Sequence, residues 1–118
     1  MKPFTVQDQI RLLLADVDGT LVTQEKVLTA ETQRAAQSLA KTGILFAITS
    51  GRPPRGMQTL VGDLRIATVV AGFNGGVYTT HRLDPIVMRD IPADATGRTI
   101  EIIREGGLIP WLYTDTAW

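Results

Sequence analysis

The feature that most constrains the fold is an unbroken apolar run, Leu12 to Ala15, that ends in Asp16 and, one residue later, Asp18. Such a run is typical of a strand buried on both faces, as in a parallel sheet covered by helices. Side chains two apart on an extended chain point the same way, so we expect both carboxylates to face one site beyond the strand. Gly19 permits the sharp turn that follows. Open α/β sheets bind ligands at this place.

The next segments predict alternating helices and strands. Residues 29–42 carry alanine and leucine at helical spacing, with Thr29 as the expected N-cap and Gly43 as the stop. The apolar runs Ile44–Thr49 and Ile66–Ala71 predict two more buried strands, with a short helix between them. This order is typical of right-handed crossovers in a parallel α/β sheet.

After the third predicted strand the alternation of buried strands and helices ends. Residues 72–92 predict a glycine-rich turn and a hairpin, and residues 93–107 predict a helix closed by two glycines. The remaining residues, 108–118, predict a final strand with aromatic side chains on one face. We place a domain boundary near residue 88, so that residues 1–88 form one α/β unit and residues 89–118 begin another.

Composition narrows the class of protein. The 118 residues are 44% apolar, enough for one domain with a core, and the 12 basic residues balance the 12 acidic ones. This balance argues against nucleic-acid and membrane-surface binding, and no apolar stretch is long enough to span a bilayer. The absence of cysteine excludes thiolate metal sites and thiol nucleophiles. We expect a cytoplasmic protein that binds neither nucleic acid nor membrane.

Taken alone, Asp16 and Asp18 favour a simple strand-to-turn junction, because Asp and Gly are common turn residues. The second strand changes that balance, since it ends in Ser50, Gly51 and Arg52. Adjacent parallel strands would place Ser50 and Asp16 at one sheet edge. Two carboxylates, a cation such as Mg²⁺ and a hydroxyl beside a backbone N–H are typical of phosphoryl transfer. Arg52 either contacts substrate or pairs with an acid.

Three motifs, DVDGTL at residues 16–21, ITSGRP at 48–53 and FNGG at 73–76, together resemble the haloacid dehalogenase superfamily. Within it they resemble the Cof-type branch of sugar-phosphate and small-metabolite phosphatases. The resemblance implies a Rossmann-like parallel core with an α/β cap inserted after the third strand. Residues 1–88 would then be the amino-terminal half of the core, and residues 89–118 the beginning of the cap.

The resemblance also implies roles for individual residues. Asp16 would attack phosphorus to form an aspartyl-phosphate and bind Mg²⁺ through its carboxylate. Asp18 would protonate the leaving oxygen, later activate water, and bind the metal through its backbone carbonyl. Thr20 would buttress the turn, Ser50 would hydrogen-bond the phosphoryl group, and Gly51 would add a backbone N–H.

Asn74 stands where the family has an Asn-Gly turn facing the site. Because Asn-Gly is also the commonest hairpin signal, a turn role is favoured for this residue.

Two parts of the family pattern are not found: a lysine after the third or fourth core strand, and a late acidic motif. Lys2, Lys26 and Lys41 all precede those strands. We therefore expect an amino-terminal piece of a longer phosphatase, inactive alone and prone to self-association through an exposed sheet edge. The alternatives are a non-catalytic binding or regulatory module, and a phosphotransferase or mutase with the same aspartyl-phosphate chemistry.

Overall fold

The computed structural model of the protein describes residues 10–114, which form three helices and one five-stranded sheet. The strands are β1 (Leu12–Asp16), β2 (Leu45–Thr49), β3 (Val70–Gly72), β4 (Val77–Thr79) and β5 (Pro85–Met88). The helices are α1 (Ala30–Leu39), α2 (Gln58–Asp63) and α3 (Ala93–Glu105). Short 3₁₀ turns extend α1, precede α2 and link β3 to β4. None of the helices in this part of the chain is long and apolar enough to cross a membrane.

The sheet has the order β1-β2-β3-β4-β5, with β1, β2 and β3 parallel and the last two pairs antiparallel. In the parallel part, Asp16 is in register with Thr49, and Thr49 with Ala71. The carboxyl ends of these three strands therefore meet at one edge. The predicted α/β class with a parallel core is confirmed.

Local signals set the helix ends as predicted. Thr29 caps α1, because its hydroxyl oxygen accepts a hydrogen bond from the backbone N–H of Thr32 at 3.2 Å. The chain leaves the following 3₁₀ turn at Gly43, whose φ of 76° is left-handed and suits glycine. Gly106 and Gly107 close α3 in the predicted way.

The core lies between the parallel strands and the first two helices, and it also includes the loop that follows β1. Ile48, Val70 and Met57 have no exposed surface, and Val17 from that loop is equally buried. Burying such apolar side chains contributes roughly 1.5–3 kcal/mol each. The loop that carries Asp18 is thus fixed by packing.

The prediction that β1 is buried on both faces is wrong for the described residues. Leu12, Leu13 and Leu14 are 53%, 43% and 58% exposed, because β1 lies at an edge of the sheet and pairs only with β2. Its apolar sequence is typical of a central strand, but β1 is an edge strand of the described sheet.

Two other predicted strands also differ from those in the structure. The third strand, predicted over Ile66–Ala71, spans only Val70–Gly72, and Ile66 instead packs into the core after α2. The predicted final strand does not form over residues 108–114, and residues 115–118 lie outside the described part. A strand needs a neighbouring strand for its backbone hydrogen bonds, and the described sheet consists of β1 to β5 without residues 108–114.

Candidate active site

The loop after β1 is a tight turn built on one carbonyl. The carbonyl oxygen of Val17 accepts from the backbone N–H groups of Thr20, Leu21 and Val22 at 3.3, 3.0 and 3.1 Å. Gly19 has a φ of 79°, a conformation that suits glycine, as the sequence predicted. Thr20 supports the turn through this backbone bond, and within residues 10–114 its hydroxyl makes no hydrogen bond.

The loop after β2 is tied to the turn after β3. The backbone N–H of Asn74 donates to the carbonyl of Ser50 at 2.9 Å, and that of Phe73 donates to the carbonyl of Arg52 at 3.1 Å. The hydroxyl of Ser50, 1% exposed as a residue, accepts from the backbone N–H of Arg52 at 3.1 Å. These bonds hold Ser50 and Arg52 at the edge where the parallel strands end.

Asp18 joins the two loops. Arg52 donates to it with two nitrogens, Nε to Oδ2 at 3.0 Å and Nη2 to Oδ1 at 2.6 Å. The hydroxyl of Ser50 lies 3.4 Å from Oδ2, and the Lys26 ammonium donates to Oδ1 at 2.8 Å. Of the two alternatives left open for Arg52, this arrangement has it paired with an acid. Residues far apart in sequence thus form one polar cluster.

The two cations determine the charge state of Asp18. Hydrogen bonds from Arg52 and then Lys26 hold the pKa of the Asp18 carboxyl well below its usual range, and they outweigh the opposing effect of partial burial. The carboxyl is therefore ionised at neutral pH. About a third of its side chain is exposed, so water screens both ion pairs and their contribution to stability is small.

Asp16 differs from Asp18 in having no side-chain partner among the described residues. It is the last residue of β1, is exposed, and makes no side-chain hydrogen bond or ion pair with any residue from 10 to 114. Its register with Thr49 places it one residue from Ser50 along the neighbouring strand. A carboxylate without a partner at a strand end is available to an incoming group.

Gly51 and Asn74 lie against each other. A Cβ atom added at Gly51 would be 3.5 Å from the Asn74 side-chain amide, an ordinary contact distance. Asn74 has a left-handed φ of 53° in the turn between β3 and β4, which confirms its predicted turn role. The turn also brings its amide next to the loop that follows β2.

Two groups could hold a metal ion here. The Asp18 carboxylate is already in contact with two cations, which leaves the Asp16 carboxylate and the backbone carbonyl of Asp18. Within residues 10–114 no cluster of three or more His, Cys, Asp or Glu side chains could bind a metal. Mg²⁺ is commonly held by one or two carboxylates together with water and substrate oxygens, so these two oxygen donors fit it as part of a shell.

A cavity of about 410 Å³ opens beside this cluster. Its lining includes Asp18 and Arg52 on one side and the aromatic residues Trp111 and Tyr113 on the other. The Tyr113 ring contacts Phe73 edge-on, with the centroids 5.8 Å apart. Trp111 is 73% exposed, so its side chain is open to solvent beside the cavity.

Lys26 is a site residue that the sequence motifs do not indicate. The family pattern has its lysine after the third or fourth core strand, whereas Lys26 precedes α1 and reaches Asp18 from a short loop. The signal available was its position eight residues after Asp18, within a segment too short to move far from it.

Comparison with known proteins finds relatives among phosphatases. A family model described as haloacid dehalogenase-like hydrolase matches residues 13–118. A curated relative from Bacillus subtilis (strain 168), 5-amino-6-(5-phospho-D-ribitylamino)uracil phosphatase YwtE, is 32% identical over 109 residues, which are 90% of this chain and 36% of the relative.

Solved structures that share the fold include two phosphatases. The first is BT1666 from Bacteroides thetaiotaomicron, a phosphatase of the haloalkanoate enzyme superfamily, with a TM-score of 0.76 and 24% identity over 91% of this chain and 40% of that one. The second is the subclass IIB sugar phosphatase BT4131, with a TM-score of 0.70 and 23% identity over 82% and 38%. The chain thus spans about two fifths or less of these relatives' length.

Proposed function

Because the chain belongs to the haloacid dehalogenase-like hydrolases, we propose that the full-length protein is a Mg²⁺-dependent phosphatase that acts on small phosphorylated metabolites such as sugar phosphates. The observation that carries the proposal is the contact of Asp18 with Ser50 and Arg52, which joins the two sequence motifs in one site. The names of the relatives, one a phosphatase of a phosphoribityl compound and one a sugar phosphatase, support the substrate class.

The proposed reaction has two steps. In the first, Asp18 has to take up a proton from solvent, because its carboxylate is ionised while Arg52 and Lys26 contact it. A carboxylate oxygen of Asp16 then attacks phosphorus, the bond from phosphorus to the ester oxygen breaks, and Asp18 gives that oxygen its proton. In the second, Asp18 takes a proton from water, whose oxygen attacks the same phosphorus and releases inorganic phosphate from Asp16. That the Asp16 carboxylate bonds to no other side chain or backbone group within residues 10–114 supports its role as nucleophile.

The remaining site residues would position the substrate. The Ser50 hydroxyl and the Gly51 backbone N–H would donate to phosphoryl oxygens, and Asn74 would contact the same region from the turn after β3. Thr20 would act through the turn that carries Asp18. The Asp16 carboxylate and the Asp18 carbonyl would hold Mg²⁺, which when bound offsets negative charge on the phosphoryl group.

The direct test is hydrolysis of an aryl phosphate by the full-length protein, with and without Mg²⁺. We expect turnover with Mg²⁺ that is lost on adding a chelator and restored by excess metal. Turnover that is indifferent to chelation would overturn metal dependence, and no turnover on any phosphate monoester would overturn the phosphatase proposal.

Replacing Ser50 by alanine should lower kcat/KM, whereas replacing it by threonine should not, because threonine keeps the hydroxyl. A hydrogen bond to a charged group contributes about 1.5–3 kcal/mol, which corresponds to roughly 10- to 150-fold in kcat/KM. Steady-state kinetics and the melting temperature are measured on both variants. A lower melting temperature with unchanged kcat/KM would assign Ser50 a structural role alone, through its bond to the Arg52 backbone.

The 118-residue chain studied alone is expected to be inactive and to self-associate. Its described residues offer too few metal donors, and β1 leaves an edge with exposed leucines open to pairing. Light scattering after size-exclusion chromatography measures the association. Leu14→Lys on this edge should reduce it, whereas Ile102→Lys on α3, equally apolar and exposed, should not. A monomer with full turnover would contradict both expectations.

The division into domains and the cytoplasmic location of the protein are also part of this proposal. Residues 1–88 would form half of the catalytic core, and residues 89–118, which contain α3, would begin the cap. The cytoplasmic location and the lack of nucleic-acid and membrane partners stay predictions from the sequence. A phosphotransferase or mutase would use the same Asp16 chemistry with a second substrate in place of water.

A further inference from the structure

The side chains of Lys26 and Arg52 both contact Asp18, and the charges of the three do not balance. Lys26 and Arg52 share its Oδ1 atom, at 2.8 and 2.6 Å, and Arg52 also reaches Oδ2. Two cations on one carboxylate leave a net positive charge. The side chains of Lys26, Asp18 and Arg52 are 59%, 32% and 28% exposed, so the cluster is open to a ligand from solvent.

The loop holds Lys26 in an unfavourable backbone conformation. Its φ of 64° is left-handed, a region that a residue with a Cβ atom rarely adopts and that suits glycine or asparagine better. The turn is closed by bonds between Lys26 and Thr23 and between Thr23 and Val27. The chain therefore has a lysine where backbone conformation alone would favour a smaller residue, and its ammonium group reaches the site.

We infer that Lys26 and Arg52 form a phosphate clamp: on substrate binding, phosphoryl oxygens replace the Asp18 carboxylate as the partner of both cations. This inference rests on the proposed phosphatase function. A phosphate ester dianion matches two cations better than a single carboxylate does, and the Arg52 fork suits phosphate as well as carboxylate.

The exchange would also free Asp18. While both cations hold it, its carboxylate oxygens are occupied by Arg52, Lys26 and Ser50. Once the phosphoryl group takes the cations, Asp18 can turn to the ester oxygen on the same phosphorus. One binding event would thus neutralise the incoming anion and position the second carboxylate.

The first test measures the affinity of the full-length protein for inorganic phosphate by calorimetry, with Mg²⁺ present. Lys26→Met is expected to weaken binding roughly tenfold, because a charge-assisted hydrogen bond is lost. Lys26→Arg keeps the charge and should stay within about threefold of the wild type. Lys41→Met, which removes an exposed lysine from the 3₁₀ turn after α1, should leave the affinity unchanged.

The second test removes the negative charge of Asp18, which competes with phosphate for the two cations. Asp18→Asn should tighten phosphate binding by roughly tenfold, and this gain should shrink when Lys26→Met is also present, since the two changes act on one contact. Unchanged affinity in Lys26→Met, or an equal gain from Asp18→Asn with and without Lys26, would overturn the clamp. If the expected affinities were found in a wild type without turnover, the clamp would stand and the phosphatase proposal would fall.

Discussion

Replacing Asp16 by asparagine is expected to abolish hydrolysis of phosphate esters by the full-length protein while its fold stays intact. The amide is nearly the same shape as the carboxylate but is not a nucleophile, so the aspartyl-phosphate cannot form. Losing the attacking group should lower kcat by about a thousandfold or more. Single-turnover kinetics with an aryl phosphate measure the loss.

The fold should survive this change because Asp16 makes no side-chain bond with any other described residue. The free energy of unfolding should change by no more than about 0.5 kcal/mol. Asp63→Asn, at the exposed end of α2, is the matched control and should retain full activity. Undiminished turnover in Asp16→Asn would show that Asp16 is not the nucleophile. If the variant lost both its fold and its turnover, the lost activity would be explained by unfolding and not by the missing nucleophile.

Replacing Gly72 by alanine is expected to damage stability and the site together. Gly72 ends β3 in an ordinary extended conformation, but a Cβ atom there would lie 2.7 Å from Pro54 Cδ and 3.1 Å from the Arg52 carbonyl oxygen. The proline ring cannot swing aside, so the loop after β2 has to move. Overpacking of this kind costs about 1–3 kcal/mol. Chemical denaturation of the full-length variant measures the cost.

Gly62→Ala is the control for this prediction. Gly62 lies in α2 with open space around its Cα, so alanine there should leave stability unchanged or raise it by up to about 1 kcal/mol through helix propensity. We also expect Gly72→Ala to weaken catalysis, because the loop that moves carries Ser50 and Arg52. Equal stability of the two variants would contradict the close packing of Pro54 on Gly72.

The order of elements could be predicted from sequence because it depends on local signals. Apolar runs, the Thr29 cap and the Gly43 stop each act over a few residues and need no distant partner. Asp16 at the end of β1 and the loops that carry Asp18 and Ser50 could also be expected at one edge of the sheet, since parallel strands align their carboxyl ends. The motifs in those loops were also enough to identify the family, which the family match confirms.

The sequence by itself therefore determined the α/β class, the family and the strand edge at which the candidate residues gather. Only the tertiary structure decided that β1 lies at the edge of the described sheet, because burial depends on which neighbours a strand has and not on its own pattern. It also decided that Arg52 pairs with Asp18 and that Lys26 joins them. Contacts between separate loops arise from packing, since the strands and helices set where each loop ends.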